Sequence, residues 1–360
     1  MSETGEIDTE IIAADSPEQS KKRSSGVRRS VEVNGHTWQY IEYGNPKGIP
    51  IINVHGWLDS SAEGNERLAL SLAGEAQDSP GLQELTKNSP ETARGLAQKV
   101  QRLQGKYHIL TPELPGFGAT KPLDGSKISL DQIADALADF QKAVTKDKAV
   151  VFGSSMGGIL AIKMAARHPE SAQVIVIQGT MTQPKDMDRL AYVLAQIATW
   201  GPVPGILETL HMTKKLFATI VSGSKDFKIA DQPTQERIIS ATFKADSQTA
   251  ASTLREIGKN IGHDIDRVRC PVVIIDGVNG DLVPIMKSHD ITKRFYPGLS
   301  LPEKVPQRVV FLPIGGSAGE QGHNLINTLP EGIASWIDYT INRLSEKGKL
   351  SELAYQPQAK

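Results

Sequence analysis

The sequence predicts an α/β fold: a doubly wound, mostly parallel sheet with helices on both faces and an inserted helical lid. Three observations carry that expectation. Short apolar runs at 49–54, 107–111, 148–152, 174–177, 272–275 and 308–312 have strand length and little alternation, as strands covered on both faces do. Stretches with helical apolar spacing separate several of them, Ile133, Leu137, Phe140 and Val144 marking one such face. The residues with chemical reach, His55, Ser155 and His323, fall just after strands, where open parallel sheets build their sites.

Taken in order, residues 1–29 are polar and charged, ending in a basic cluster from Lys21 to Arg29, and are expected to form a disordered tail. Residues 30–33 and 37–43 alternate around Asn34-Gly35, a dipeptide that favours a two-residue hairpin turn. The run at 49–54 delivers the chain to His55-Gly56-Trp57. The following segment is polar and helical, with Ser79-Pro80 and Ser89-Pro90 reading as an N-cap serine and a first-turn proline. Two or three short helices fit there, so 60–105 reads as an insertion longer than a plain crossover needs. The next strand ends in Pro112-Glu113-Leu114-Pro115-Gly116-Phe117-Gly118. A helix from about Leu130 then leads to the strand at 148–152.

From 180 to 264 the pattern is helical, broken at Gly201-Pro202 and Pro204-Gly205, and no strand interrupts it. That segment is expected to be a helical lid on a core of 30–179 and 265–344. The alternation then resumes with a strand, a helix near 285–295 and another strand. A glycine-rich loop with Gly315, Gly316, Gly319 and Gly322 reaches His323. The last helix sets Ile333, Trp336, Ile337, Thr340 and Ile341 on one side, and 345–360 reads as a tail.

Bulk properties exclude several classes of function. With 39% hydrophobic and 22% charged residues and a net charge of −1, the chain carries no general attraction to nucleic acid or anionic membrane. No apolar run approaches the ~20 residues needed to span a bilayer. The N-terminal stretch lacks an apolar signal core, and the single cysteine, Cys270, rules out an internal disulfide. A soluble cytoplasmic protein is expected. Cys270 sits beside Pro271 at a strand start and reads as a core or strand-edge residue. His263, Asp264 and Asp266 form no metal site at recognisable spacing. The glycine loop at 316–322 lacks the Gly-Lys-Ser/Thr ending of a phosphate loop. No cofactor is implied.

The most informative stretch is Val150-Val151-Phe152-Gly153-Ser154-Ser155-Met156-Gly157-Gly158. An apolar strand ends at Phe152 and a helical pattern begins at Met156, so Gly153, Ser155 and Gly157 spell G-x-S-x-G on a strand-to-helix turn. Small residues two before and two after the serine let strand and helix close up, pushing the hydroxyl out of the sheet. The helix N-terminus behind it stabilises developing negative charge.

From about Ser30 to Leu344 the chain resembles an α/β-hydrolase with a cap domain. The likeness rests on Val54-His55-Gly56-Trp57, Leu114-Pro115-Gly116-Phe117-Gly118, Gly153 to Gly158 and Gly322-His323, in this order. It implies Ser155 as nucleophile, His323 as its base, and an oxyanion hole made by the backbone N–H groups of Trp57 and Met156. His55 is expected to brace its loop. For the acid, the family pattern G-x-x-D-x-x-V-P meets Gly277-Val278-Asn279-Gly280-Asp281-Leu282-Val283-Pro284, which places Asp281 one residue late. Asp281 is the nearest carboxylate and Asp276, at the strand end, the alternative. Glu113 replaces an aspartate the family commonly carries.

The resulting expectation is a serine hydrolase cleaving an ester, thioester or related acyl bond of a small molecule through an acyl-enzyme. The elbow also resembles those of carbon–carbon bond hydrolases. The displaced acid and the insertion at 60–105 motivate a different alternative, a non-catalytic hydrolase-fold binding protein.

Overall fold

The computed structural model describes residues 9–11, 26–60, 64–76, 79–124, 128–183, 232–257, 259–277, 309–314 and 325–346, with isolated positions between 214 and 228. Nine strands form one sheet within these residues. In chain order they are β1 (Thr9–Ile11), β2 (Val27–Val33), β3 (His36–Gly44), β4 (Ile49–Val54), β5 (Tyr107–Pro112), β6 (Ala149–Ser154), β7 (Ala172–Gln178), β8 (Val272–Gly277) and β9 (Val309–Ile314). Their order across the sheet is β1-β2-β3-β5-β4-β6-β7-β8-β9. The first three strands run antiparallel, and β3 meets β5 antiparallel; every pairing from β5 to β9 is parallel. The doubly wound, mostly parallel sheet expected from the apolar runs is the one observed.

The hairpin between β2 and β3 turns on Asn34 and Gly35, both at positive φ (52° and 74°), the mirror-image geometry that matches strand twist. Residues 27–29, assigned to the tail from sequence, belong to β2, and Thr9–Ile11 pair with its far edge. The reason lies in the tertiary structure. Arg29 Nε donates to Glu42 Oε2 at 3.1 Å, and Glu42 Oε1 meets His108 Nε2 at 2.7 Å, so a basic residue that looked solvated is paired. Burial alone would raise the Glu42 carboxyl, but His108 and Arg29 together hold it below its ordinary value.

Helices cover both faces. The first face carries α4 (Leu130–Val144) and α5 (Met156–Arg167), packing Ile133, Leu137, Phe140, Ile159 and Ile162 onto Ile52, Val54 and Val151. Ser129 starts α4 with a complete capping box: its hydroxyl accepts from the Gln132 N–H while the Gln132 side chain reaches back, worth about 1 kcal/mol. The second face carries α1 (Glu66–Leu72) and a late helix at Pro330–Glu346, packing Leu68, Leu72, Ile333, Ile337 and Ile341 onto Ile51, Ile109, Phe152 and Val176. Trp336, expected on the buried side of that late helix, is 38% exposed and stacks edge-on with Tyr339 at 5.5 Å.

Between β4 and β5 lie α1, α2 (Pro80–Asn88) and α3 (Pro90–Gln101). Ser79 caps α2 by accepting from Leu82 N–H at 3.2 Å, and its hydroxyl donates to the buried Glu331 carboxylate at 2.7 Å. Ser89 opens α3 without capping its backbone; its hydroxyl pairs with Thr92 instead. In the later chain, α6 (Gln232–Lys244), α7 (Ser247–Ile257) and α8 (Gly262–Arg267) precede β8. The short α9 (Leu325–Thr328) precedes the late helix, α10.

Candidate active site

The winding reverses between β4 and β6. The chain leaves β4 for β5 on one side and returns through α4 to lay β6 on the other side of β4. Open α/β sheets form their crevice where such neighbours diverge. Val54 stands opposite Gly153 in the parallel register, so the residues after these two strands, His55-Gly56-Trp57 and Ser155-Met156, emerge side by side. A Cβ built on Gly56 would lie 3.5 Å from Ser155 Cβ and 3.5 Å from the Ser154 carbonyl oxygen. The two stretches adjoin at that point.

Ser155 has φ 53° and ψ −116° and stands as the N-cap of α5. A non-glycine residue in such backbone costs about 1–3 kcal/mol and persists only where its surroundings over-determine it. The surroundings here are backbone. A methyl on Gly153 would overlap the Gly157 carbonyl, and one on Gly157 would overlap the Val54 carbonyl. The sequence therefore spends both glycines on the close approach of β6, α5 and β4. Leu58, buried and at φ 56°, is a second strained residue in the loop that carries Trp57.

The amide hydrogens at this turn are divided. Ser155 N–H donates to the Gln178 carbonyl at 2.8 Å, which continues the β6–β7 ladder. Met156 is the first residue of α5, so helix geometry gives its N–H no acceptor four residues back. An anion seated over Ser155 meets that amide and the positive end of the α5 dipole.

His55 is fully buried and neutral. Its Nδ1–H donates to the Gly56 carbonyl at 2.8 Å while Nε2 accepts from Leu114 N–H at 3.1 Å, and its ring meets Phe117 edge-on. It ties the loop after β4 to the loop after β5. Burial lowers its pKa from 6.5 to about 4, against the opposing pull of the Gly56 bond. Because the folded value lies below the unfolded one, the stability His55 contributes is complete above pH 6.5 and drains as pH falls toward 4. In urea titrations, His55→Gln is expected to be less stable than wild type at pH 7.5. The gap should narrow by about 2 kcal/mol at pH 4.5. A gap that does not change with pH would contradict the buried neutral imidazole.

Glu113, the residue that departs from aspartate, is buried; its carboxylate accepts from Ala119 N–H and pairs with Arg28 at 3.7 Å. The longer side chain closes the turn through Gly118, whose added methyl would strike it. From above, α7 packs on both loops. Trp57 Nε1–H donates to the Ala250 carbonyl at 3.0 Å, and Asp246 N–H donates to the Gly116 carbonyl at 2.8 Å. Neither contact has a sequence signal, since each joins residues more than a hundred positions apart.

The structure brings Ser155, at the head of α5 with Met156 next to it, against Gly56, the residue before Trp57. His323 and Asp281 lie outside the described residues. Asp276 occupies β8, with its backbone paired to Pro313 of β9. Sequence reasoning passed over Gln178, which stands opposite Ser154 and accepts from its hydroxyl at 2.9 Å. Asp264, considered for a metal, is engaged by Lys163, whose ammonium lies 2.8 Å from it and 2.6 Å from Asp131. Burial alone would lower the Lys163 pKa, but the two carboxylates raise it overall. No cluster of three or more metal-binding side chains occurs among the described residues. None of the described helices is long and apolar enough to cross a membrane.

Comparison with known proteins agrees with this architecture. The family model described as alpha/beta hydrolase fold matches residues 49–201, from β4 past the elbow. A pimeloyl-[acyl-carrier protein] methyl ester esterase of Aromatoleum aromaticum is 27% identical over 207 residues, 53% of this chain and 76% of that one. A 2-hydroxy-6-oxo-2,4-heptadienoate hydrolase of Pseudomonas putida is 22% identical over 52% of this chain and 67% of its own. A match to an uncharacterized hydrolase of Saccharomyces cerevisiae, 23% identical, spans 32% of this chain and 37% of that protein. The crystal structure of a serine hydrolase involved in carbazole degradation superposes with a TM-score of 0.58 at 19% identity, covering 89% of this chain and 100% of its own.

Proposed function

The chain is a member of the α/β-hydrolase fold family, and on that premise we propose that it is a serine hydrolase of esters, thioesters or related acyl compounds. Ser155 attacks the acyl carbonyl, and His323 takes its proton and returns it to the leaving group. The N–H groups of Met156 and Trp57 receive the oxyanion. Asp281 orients the imidazole and stabilises its cation. Water activated by His323 then frees the acyl-enzyme. The observation that carries the reading is the backbone of Ser155: a strained serine at the head of α5, held against Gly56 at the point where the sheet's winding reverses.

The remaining assignments follow the same reading. Residues 180–264 form a cap over the core of 30–179 and 265–344, and the substrate is a small molecule. With one cysteine and no need of a disulfide, the protein works in the cytoplasm.

A fluorophosphonate probe tests the nucleophile. Labelling is expected on the peptide that contains Ser155, and folded protein that takes up no probe would leave the non-catalytic binding reading in its place. The acid is tested by p-nitrophenyl ester turnover. Asp281→Asn is expected to lower kcat by at least ~100-fold and Asp276→Asn to lower it far less. The reverse ranking would move the role to Asp276, and no loss in either would remove both.

Carbon–carbon bond hydrolysis is the second reading, favoured by the match to the heptadienoate hydrolase. Turnover of a vinylogous 1,5-diketone in preference to aryl esters would select it.

A further inference from the structure

We propose that Gln178 is a positioning residue for Ser155, acting through the hydroxyl of Ser154, and that this pair sets how fast the serine is acylated. The inference rests on the serine-hydrolase reading and concerns the same site. Gln178 is wholly buried at the C-terminal end of β7. Its side-chain Oε1 accepts from Ser154 Oγ at 2.9 Å. Its main-chain oxygen accepts from Ser155 N–H at 2.8 Å and from Thr180 Oγ1 at 3.3 Å. Thr180 in turn sits on Gly158, where a methyl would overlap its hydroxyl. One residue thus grips two consecutive positions of the elbow with its two oxygens, and the chain after it closes on the helix behind.

The main-chain bond would exist with any residue at 178, because it belongs to the ladder. The side-chain bond would not. Burying a carboxamide is costly unless its hydrogen bonds are made, so an apolar residue continuing Val174, Ile175, Val176 and Ile177 is the simpler choice for stability alone. What the amide adds is a fixed Ser154 rotamer directly before a residue held at φ 53°. With Ser154 held through its side chain as well as Ser155 through its N–H, the strand end that presents the nucleophile has less room to shift. Misplacing a reacting atom by about 1 Å can cost about 100-fold in rate, so partial loosening is expected to cost about tenfold.

The test measures fluorophosphonate inactivation against probe concentration, separating the maximal rate from the half-saturating concentration, with a melting curve for every protein. Ser154→Ala and Gln178→Met are each expected to lower the maximal rate about tenfold while half-saturation moves by less than about twofold. Ser154→Thr keeps the hydroxyl and should stay within about threefold of wild type. The double variant should be no slower than the slower single, since Ser154 and Gln178 share the bond that each substitution breaks. Wild-type rates in both single variants, or a loss confined to melting temperature, would overturn the proposal while wild-type labelling leaves the hydrolase reading standing. Multiplying losses in the double variant would also overturn it. Folded wild-type protein that never labels overturns the hydrolase reading itself. Should Gln178→Met fail to fold, Ser154→Ala, which removes a single oxygen atom, decides.

Discussion

Ser155→Ala is expected to lower turnover of p-nitrophenyl acetate by about 10⁴-fold or more, with KM little changed. The hydroxyl stands on a strained backbone at the head of α5, beside the loop that carries Trp57, and alanine fits the same backbone without new contacts. The amides around it therefore stay in place, and only the nucleophile is lost. His323→Ala should fall by a similar factor, because an unassisted serine is a poor nucleophile near neutral pH. Since the two act as a unit, the double variant should be no worse than the worse single. A Ser155→Ala protein that keeps more than about a tenth of the wild-type rate would move the chemistry to another group.

The second large effect is structural. Gly157→Ala is expected to destabilise the protein by about 3 kcal/mol or more, although alanine at a helical position ordinarily gains about 0.5–1 kcal/mol over glycine. The sign reverses because the new methyl meets the Val54 carbonyl, at the end of the central strand β4, and the His55 carbonyl just after it, and neither main-chain oxygen can swing aside. Gly153→Ala should behave alike, since its methyl meets the Gly157 carbonyl. Gly95→Ala is the control. It lies inside α3, where an added methyl has no neighbour within 4 Å, and should stabilise by about 0.5–1 kcal/mol. Chemical denaturation of the three variants checks the set, and equal effects at Gly95 and Gly157 would contradict the close approach of α5 to β4.

What the sequence disclosed was local or periodic. Apolar runs of strand length gave the parallel strands, Asn34-Gly35 gave the hairpin, and Gly153, Ser155 and Gly157 gave the elbow. What it withheld depends on distant partners. Arg29 reads as a tail residue until Glu42 is seen across the ladder. Trp336 fits the apolar periodicity of α10, but the helix turns it outward to stack on Tyr339. Gln178 looks like a polar strand end until Ser154 is placed opposite. For the candidate site, two of its short motifs were legible, one after β4 and one after β6. The contact between them was not, because it follows from the order of strands rather than from any one stretch.

That order has a consequence for synthesis. Both neighbours of β4, the strands β5 and β6, come after it in the chain, and α1, α2 and α3 separate it from the nearer one. While the ribosome makes that stretch, the run Ile49 to Val54 has two bare edges and no partner on either. An apolar segment with unpaired edges is the kind that joins other chains. Nascent protein should therefore be most prone to aggregate before residue 112 emerges, and least once 154 is out and β4 is enclosed on both sides.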